Sequence, residues 1–264
     1  MTIQSVFITG ASTGIGAALA RHYAAPGRLL GLLARREALL LEVAEVCRRQ
    51  GAEVSIYPVD VTDANVVAAV GEAFLARAGR VDLVIANAGI SLRDEESESE
   101  ADLAWRVMAV NFLGVVHTLS SFVPAMKKNG SGSLVAISSV AGFRGLPDAG
   151  AYCASKAAVM VWMESLRVRL RGRVNVMTMC PGYVATPMTE TNAFPMPWLL
   201  SAERAATLVA RAIERKRLVY TFPWQMKLLM GFVRVLPPWL FDPILAAAQS
   251  RGLTRRGPRS TVKP

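Results

Sequence analysis

The sequence predicts an α/β fold, a doubly wound parallel sheet with helices on both faces, and three observations lead to it. Short apolar runs alternate with helical stretches along the first 222 residues, which is the rhythm of βαβ units. A glycine-rich turn, Gly10 to Gly16, joins the first run to the first helix. The polar residues that stand out fall just past the carboxyl ends of the runs, where such sheets bind their ligands. The 264 residues suit one large domain, and 52% hydrophobic content supplies a sizeable core.

The first strand is expected over residues 3–9, followed by Gly10-Ala11-Ser12-Thr13-Gly14-Ile15-Gly16 and an Ala/Leu-rich helix to residue 25. Strand, glycine-rich turn and helix in that order cradle phosphate: backbone N–H groups and the helix N-terminus face the anion. Gly10 permits the tight turn, Gly14 lets backbone approach a pyrophosphate, and Gly16 lets helix pack on strand. An ordinary glycine-rich connection has the same spacing, but a place one strand into the chain favours a Rossmann-type dinucleotide site. The second strand, residues 28–34, ends in Arg35 and Arg36, where an NAD-selective site would place an acid. A guanidinium there suits a 2′-phosphate, which favours NADP(H) over NAD(H); the alternative is two solvated arginines at a helix start.

Residues 37–50 are expected as a helix and 54–59 as the third strand, running into Asp60-Val61. A helix over 63–78 has Asp63 as its N-cap, and a fourth strand, 83–86, leads to Asn87-Ala88-Gly89. An acidic stretch, Asp94 to Asp102, reads as a solvated loop and helix start; a long helix then carries Asn111. The fifth strand, 133–138, places Ser139 just past its end, and a loop over 142–150 precedes the next helix. That helix carries Tyr152 and Lys156, which at i and i+4 share one face. An ammonium beside a phenol stabilises the phenolate, so the pair suits proton transfer near neutral pH. A sixth strand, 174–180, is broken by Pro181-Gly182; Ser201 caps a helix, and 218–222 is the last strand.

Composition excludes several classes. Cys47, Cys153 and Cys180 have no paired or metal-ligand spacing, and with only His22 and His117 beside them no metal centre is expected. That cysteine usage fits a reducing cytosol, and the immediate strand pattern leaves no room for a signal peptide, so a cytoplasmic protein is expected. The net charge of +10 is uneven: residues 1–210 carry 19 Lys and Arg against 18 Asp and Glu, residues 211–264 carry 11 against 2. The high pI therefore belongs to the C-terminal fifth.

Thr9-Gly10-Ala11-Ser12-Thr13-Gly14-Ile15-Gly16, Asp60-Val61, Asn87-Ala88-Gly89, Asn111, Ser138-Ser139, Tyr152-x-x-x-Lys156 and Pro181-Gly182 stand here in one order. In that order they resemble the short-chain dehydrogenase/reductase family, in its shorter-subunit branch, over residues 3 to 222. The resemblance implies an NAD(P)-dependent oxidoreductase on a seven-stranded parallel sheet, with a tetrad of Asn111, Ser139, Tyr152 and Lys156. The family's serine lies 13 positions before its tyrosine, which selects Ser139 over Ser138. It further implies that Lys156 binds the nicotinamide ribose, that Asn111 holds the long helix and a water leading to Lys156, and that Asp60 and Val61 flank the adenine. Asn87 to Gly89 would lie at the adenine ribose, Pro181, Gly182 and Val184 along the nicotinamide, and Thr186 near its carboxamide. Dimers or tetramers are usual in such a family.

Residues 188–200 hold Met188, Phe194, Met196 and Trp198 where the family has its substrate lid, which suits a small hydrophobic carbonyl or alcohol; a loop packed on the core is the other reading. Residues 223–264 form an extension that the resemblance explains least. Arg234, Pro237, Pro238, Asp242 and Pro243 interrupt any membrane span there. Apolar and aromatic residues with basic flanks, ending in Arg251, Arg255, Arg256, Arg259 and Lys263, suit peripheral membrane contact. A substrate cap or a subunit interface is the alternative. Nucleic acid is not expected, because no recognised module accompanies the basic tail. Against the enzyme stand two other functions: a cofactor-binding scaffold without turnover, and a membrane-surface binding protein.

Overall fold

A strand covered by helices on both faces must be apolar along its whole length, and β1 (Ser5–Thr9) is buried at every position. The computed structural model describes residues 3–91, 99–190, 192 and 194–250, with the side chains of 248 and 249 not included. Most of the acidic stretch (Asp94, Glu95, Glu96 and Glu98) and the basic tail from Arg251 lie outside the described residues. After β1 come α1 (Gly14–Tyr23), β2 (Leu29–Leu33), α2 (Glu37–Arg49), β3 (Glu53–Tyr57), α3 (Ala64–Ala78) and β4 (Leu83–Ala86). The second half runs α4 (Glu100–Met108), α5 (Gly114–Ser120), α6 (Val123–Asn129), β5 (Ser133–Ile137), α7 (Gly150–Arg169) and β6 (Asn175–Pro181). It continues with β7 (Val184–Ala185), β8 (Leu200–Ser201), α8 (Ala202–Glu214), β9 (Val219–Phe222), α9 (Trp224–Val235) and α10 (Pro238–Ser250).

Seven of these strands form one parallel sheet in the order β3-β2-β1-β4-β5-β6-β9. The order reverses between β1 and β4, which opens a crevice at their carboxyl ends. Alternation along β1 splits the core in two. Val6 and Ile8 point to one face and join Leu19 and Ala20 of α1, Leu40 of α2 and Val209 of α8. Phe7 points to the other, with Phe74 of α3, Leu119 of α5, Phe122 just before α6, and Met163 of α7. The Phe7 ring centroid lies 4.9 Å from that of Phe122 and 5.3 Å from that of Phe74. This crowding explains Gly31 in the middle of β2: a Cβ there would lie 2.5 Å from the Phe7 ring and 2.8 Å from Phe74.

The expected elements recur with boundary shifts of one or two residues, and both expected caps are present: Asp63 accepts from Val66 N–H and Ser201 from Arg204 N–H. The long helix differs. It breaks into α4, a π turn (Ala109–Leu113) that carries Asn111, and α5, while Pro124 opens the separate α6. The helical run Glu100–Asn129 is long and apolar enough to cross a membrane, yet here α4 packs on α7 and α5 on α3 in the layer covering the sheet. A second feature, absent from the sequence reading, is the small ladder of β7 with β8, which ties together both ends of the segment expected as a lid. The extension is two helices broken at Leu236 and Pro237, with Pro238 opening α10, where a missing N–H is harmless. Met226 of α9 is buried, and a Cβ on Gly182 would meet it at 3.1 Å.

Gly31→Ala is expected to destabilise the protein by about 2 kcal/mol through overpacking against Phe7 and Phe74. Adding Phe74→Leu should recover part of that loss, as urea unfolding of both variants will show.

Candidate active site

The carboxyl ends of β1, β2, β4, β5 and β6 converge on one cleft, and nearly every residue singled out in the sequence lines it. On its floor are Gly10, Ser12, Thr13, Gly14 and Ile15; at one end stand Arg35, Arg36, Asp60 and Val61; the far side holds Ser139, Tyr152, Lys156, Pro181, Gly182, Val184 and Thr186, with Asn87, Ala88 and Gly89 between. Gly16 and Asn111 are the exceptions. They support the cleft from behind.

Gly10 and Gly14 have φ of 66° and 56°, a region that favours glycine. Gly16 answers to packing: a Cβ there would lie 2.1 Å from the Gly10 carbonyl oxygen, so any other residue pushes α1 off the loop. Asn87 holds the same turn from the neighbouring strand, its Nδ2 donating to the carbonyls of Thr9 and Gly10, each at 3.1 Å. Thr9, which opens the glycine-rich motif and was given no role in the sequence, accepts on its Oγ1 from the N–H groups of Asn87 and Ala88. A bare loop of backbone at a helix N-terminus is a fitting cradle for a diphosphate. At the end of β2, Arg36 donates to Thr13 Oγ1 at 3.1 Å, and Arg35 lies 3.6 Å from Asp60. Asp60 also accepts from the N–H and hydroxyl of Thr62. The Arg35 pair is exposed and holds loosely. Arg36 thus faces the phosphate loop, and Arg35 shares its charge with Asp60.

The opposite wall is built on α7. Lys156 is 4% exposed; its Nζ donates to the carbonyl of Ile137 at 3.0 Å and lies 5.7 Å from the centroid of the Tyr152 ring. Burial disfavours the ammonium and pulls the lysine down to about 8, against a smaller opposing pull from Cys180. A buried amine with that affinity exchanges its proton near neutral pH. The two serines separate by their bonds. Ser138 Oγ donates to the Lys156 carbonyl at 2.9 Å, which pins the strand to the helix, while Ser139 Oγ accepts from Ala141 N–H at 3.1 Å.

Asn111 is fully buried, and its amide is committed to protein. Oδ1 accepts from Ile90 N–H at 2.7 Å; Nδ2 donates to the Ile90 carbonyl at 2.9 Å and to Ser155 Oγ at 3.0 Å. The π turn brings this side chain to both the β4 loop and α7. A Cβ on Gly89 would sit 3.3 Å from Asn111 Oδ1 and 3.4 Å from Lys156 Nζ, so the glycine leaves room for amide and amine together. Met188, expected in the lid segment, lines the cleft as well; Ile90, Val110, Pro187 and Thr189 also line it and were not anticipated. Only Thr189 leaves a trace, as a threonine three residues past Thr186 whose Oγ1 accepts from the Thr186 N–H at 3.0 Å.

Comparison with known proteins agrees with this geometry. The family model described as short chain dehydrogenase matches residues 4–194. An uncharacterized oxidoreductase of Myxococcus xanthus (strain DK1622) is 37% identical over 243 residues, covering 92% of this chain and 96% of that protein. An alcohol dehydrogenase from Thermococcus sibiricus, solved with 5-hydroxy-NADP, aligns with a TM-score of 0.73 at 30% identity, over 84% of this chain and 95% of its own. A short chain dehydrogenase/reductase from Burkholderia phymatum, solved with NAD, aligns with a TM-score of 0.76 at 27% identity, over 99% and 98%. The shared group is a nicotinamide dinucleotide.

Unfolded, a lysine titrates near 10.5; between that value and about 8 the unfolded chain binds more protons than the fold, so stability rises with pH across this window. Below 8 both states carry the ammonium and the burial penalty is complete. The stability of the parent relative to Lys156→Met is therefore expected to rise by about 3 kcal/mol from pH 7 to 10.5. Urea unfolding of both proteins at a series of pH values measures this; a flat difference would mean that the amine is hydrated in the fold.

Proposed function

The chain belongs to the short-chain dehydrogenase family, a family of oxidoreductases, and on that premise we propose that it reduces a lipophilic ketone or aldehyde with NADPH. The observation that carries the reading is the buried Lys156 amine beside Tyr152, on the wall facing the glycine loop. Bound in the cleft, the nicotinamide supplies a hydride to the carbonyl carbon. Tyr152 gives the proton that turns the carbonyl oxygen into a hydroxyl, and Ser139 donates a hydrogen bond to that oxygen as charge develops on it. Lys156, as ammonium, stabilises the phenolate that Tyr152 becomes. Asn111 is a positioning residue: it fixes Ile90 on one side and Ser155, next to Lys156, on the other. The reverse step, from alcohol to carbonyl, uses the same groups with each proton reversed. The intact set of donors argues against a silent scaffold.

NADPH is favoured because the end of β2 offers Arg36, held at the phosphate loop by Thr13, and the first three residues after the strand, Ala34, Arg35 and Arg36, include no carboxylate. A lipophilic substrate is favoured by the apolar side chains of Ile90, Val110 and Met188, which line the same cleft as Ser139 and Tyr152. The lid segment is itself apolar, with Tyr183 edge-on to Phe194 at 5.9 Å. We take residues 1–222 as the catalytic domain, working as a dimer or tetramer. Residues 223–264 we take as an extension that brings the enzyme to a membrane surface.

Tyr152→Phe is expected to lower kcat for reduction by roughly a hundredfold or more while NADPH binding persists. Stopped-flow turnover and fluorescence titration separate the two; full activity ends the mechanism. Arg36→Glu should lower kcat/KM for NADPH by about tenfold and leave NADH less affected, so an unchanged ratio between the cofactors removes the NADP preference.

A further inference from the structure

On the outer side of the sheet's edge strand β9, remote from the glycine loop, lies a second groove between α8 and α9. Five cations line it: Arg211 of α8, Arg215 just past its end, Arg217 before β9, and Lys227 and Arg234 of α9. No carboxylate lines it, and among the described residues none of the five forms an ion pair. Like charges crowded on one surface repel, so the arrangement is favoured when an anion neutralises it. The same helix carries a second feature. Trp224, Leu228, Phe232 and Val235 form a stripe on α9, continued by Trp239 of α10, and these five are 63–75% exposed. Lys227 and Arg234, seven residues apart, share the neighbouring stripe. Apolar ridge and basic groove therefore adjoin along one helix.

We propose that this groove and ridge together bind the surface of an anionic phospholipid bilayer. The phosphates of the headgroups would enter the groove, and Trp224, Phe232 and Trp239 would reach the acyl boundary. The inference rests on the reading of residues 223–264 as a membrane-surface extension and adds where the lipid charge is held. A second copy of the chain is a poor occupant: residues 211–264 carry 11 basic against 2 acidic residues, so a symmetric contact here would bring like charge onto like charge. A bilayer answers both features at once, because basic residues near an anionic surface and aromatic residues at its boundary each favour adsorption. The groove also touches the candidate active site indirectly. Phe143, which lines it, sits 5.9 Å below the Arg234 guanidinium in the loop between Ser139 and Tyr152. The next residue, Arg144, donates to the Leu236 carbonyl at 3.1 Å and lies 4.1 Å over Phe241. A membrane-seated extension would thus be in contact with the loop that joins Ser139 to the helix of Tyr152.

The test is co-flotation of the full chain with vesicles of phosphatidylcholine alone and with a third of phosphatidylglycerol, at moderate salt. The expected result is binding to the anionic vesicles only, with a blue shift in tryptophan emission. Arg215→Glu with Arg217→Glu should lower the partition coefficient roughly tenfold or more, with circular dichroism and NADPH binding unchanged. Trp224→Ser with Trp239→Ser should weaken binding and abolish the emission shift. Absence of binding to either vesicle overturns the membrane reading altogether. Binding that survives the groove reversal but is lost in Arg255→Glu with Arg256→Glu overturns the groove assignment alone and moves the lipid contact to the tail. Tighter binding to a DNA duplex than to vesicles, or a dimer that the Trp224/Trp239 pair of changes splits, overturns the bilayer as occupant.

Discussion

An amine held out of water beside a phenol is the constraint on which the rest of the cleft depends. Lys156 is 4% exposed, and its Nζ donates across from α7 to the Ile137 carbonyl at the end of β5. Burying an ammonium is costly unless nearby dipoles or anions compensate, and the depressed affinity for a proton is the measure of that cost. Everything around the amine keeps it where it is. Ser138 ties α7 to the end of β5 at the lysine's own carbonyl, and Gly142 lets the loop pass that backbone closely: a Cβ there would lie 2.9 Å from the Lys156 carbonyl carbon. In the proposed reaction the same cost becomes useful, since a charge poorly solvated by water responds strongly to a forming phenolate.

Two asparagine amides, Asn111 fully buried and Asn87 half-buried, hold the loops that meet at this point. Asn87 joins the end of β4 to the glycine turn after β1, and Asn111 joins the next residues of the β4 loop to α7. Each bridges elements distant in sequence, and each satisfies backbone groups that loops leaving a parallel sheet would otherwise expose. The π turn is part of this device. It shifts the helical register so that Asn111 points inward to Ile90 and Ser155 at once. The glycine loop and the wall that carries Tyr152 and Lys156 are therefore one connected body, not two surfaces that happen to face each other.

The extension follows a different logic. Met226 anchors α9 to the domain beneath Gly182, but the outward side of α9 keeps Trp224, Leu228, Phe232 and Val235 in solvent. Among the described residues nothing covers that apolar side, and the cations beside it form no ion pair there, which is the pattern of a surface that meets a partner.

Much was legible before any coordinates. Alternating apolar runs foretold the strands to within two residues, because a strand buried on both faces has little freedom of composition. Gly10, Gly14 and Gly16 were legible because backbone conformation and close approach admit nothing else there, and Tyr152 and Lys156 because helical spacing alone puts them on one face. Other facts needed the fold. That Asn111 clamps Ile90, that Ser138 is a strand-to-helix tie, that Arg35 shares its charge with Asp60, and that five cations from α8, the turn before β9 and α9 form one groove all depend on how the chain packs. Local pattern determined which elements form and which residues stand at their ends; the packing of those elements decided which side chains meet, because a hydrogen bond or a repulsion depends on distance in space and leaves no period in the sequence.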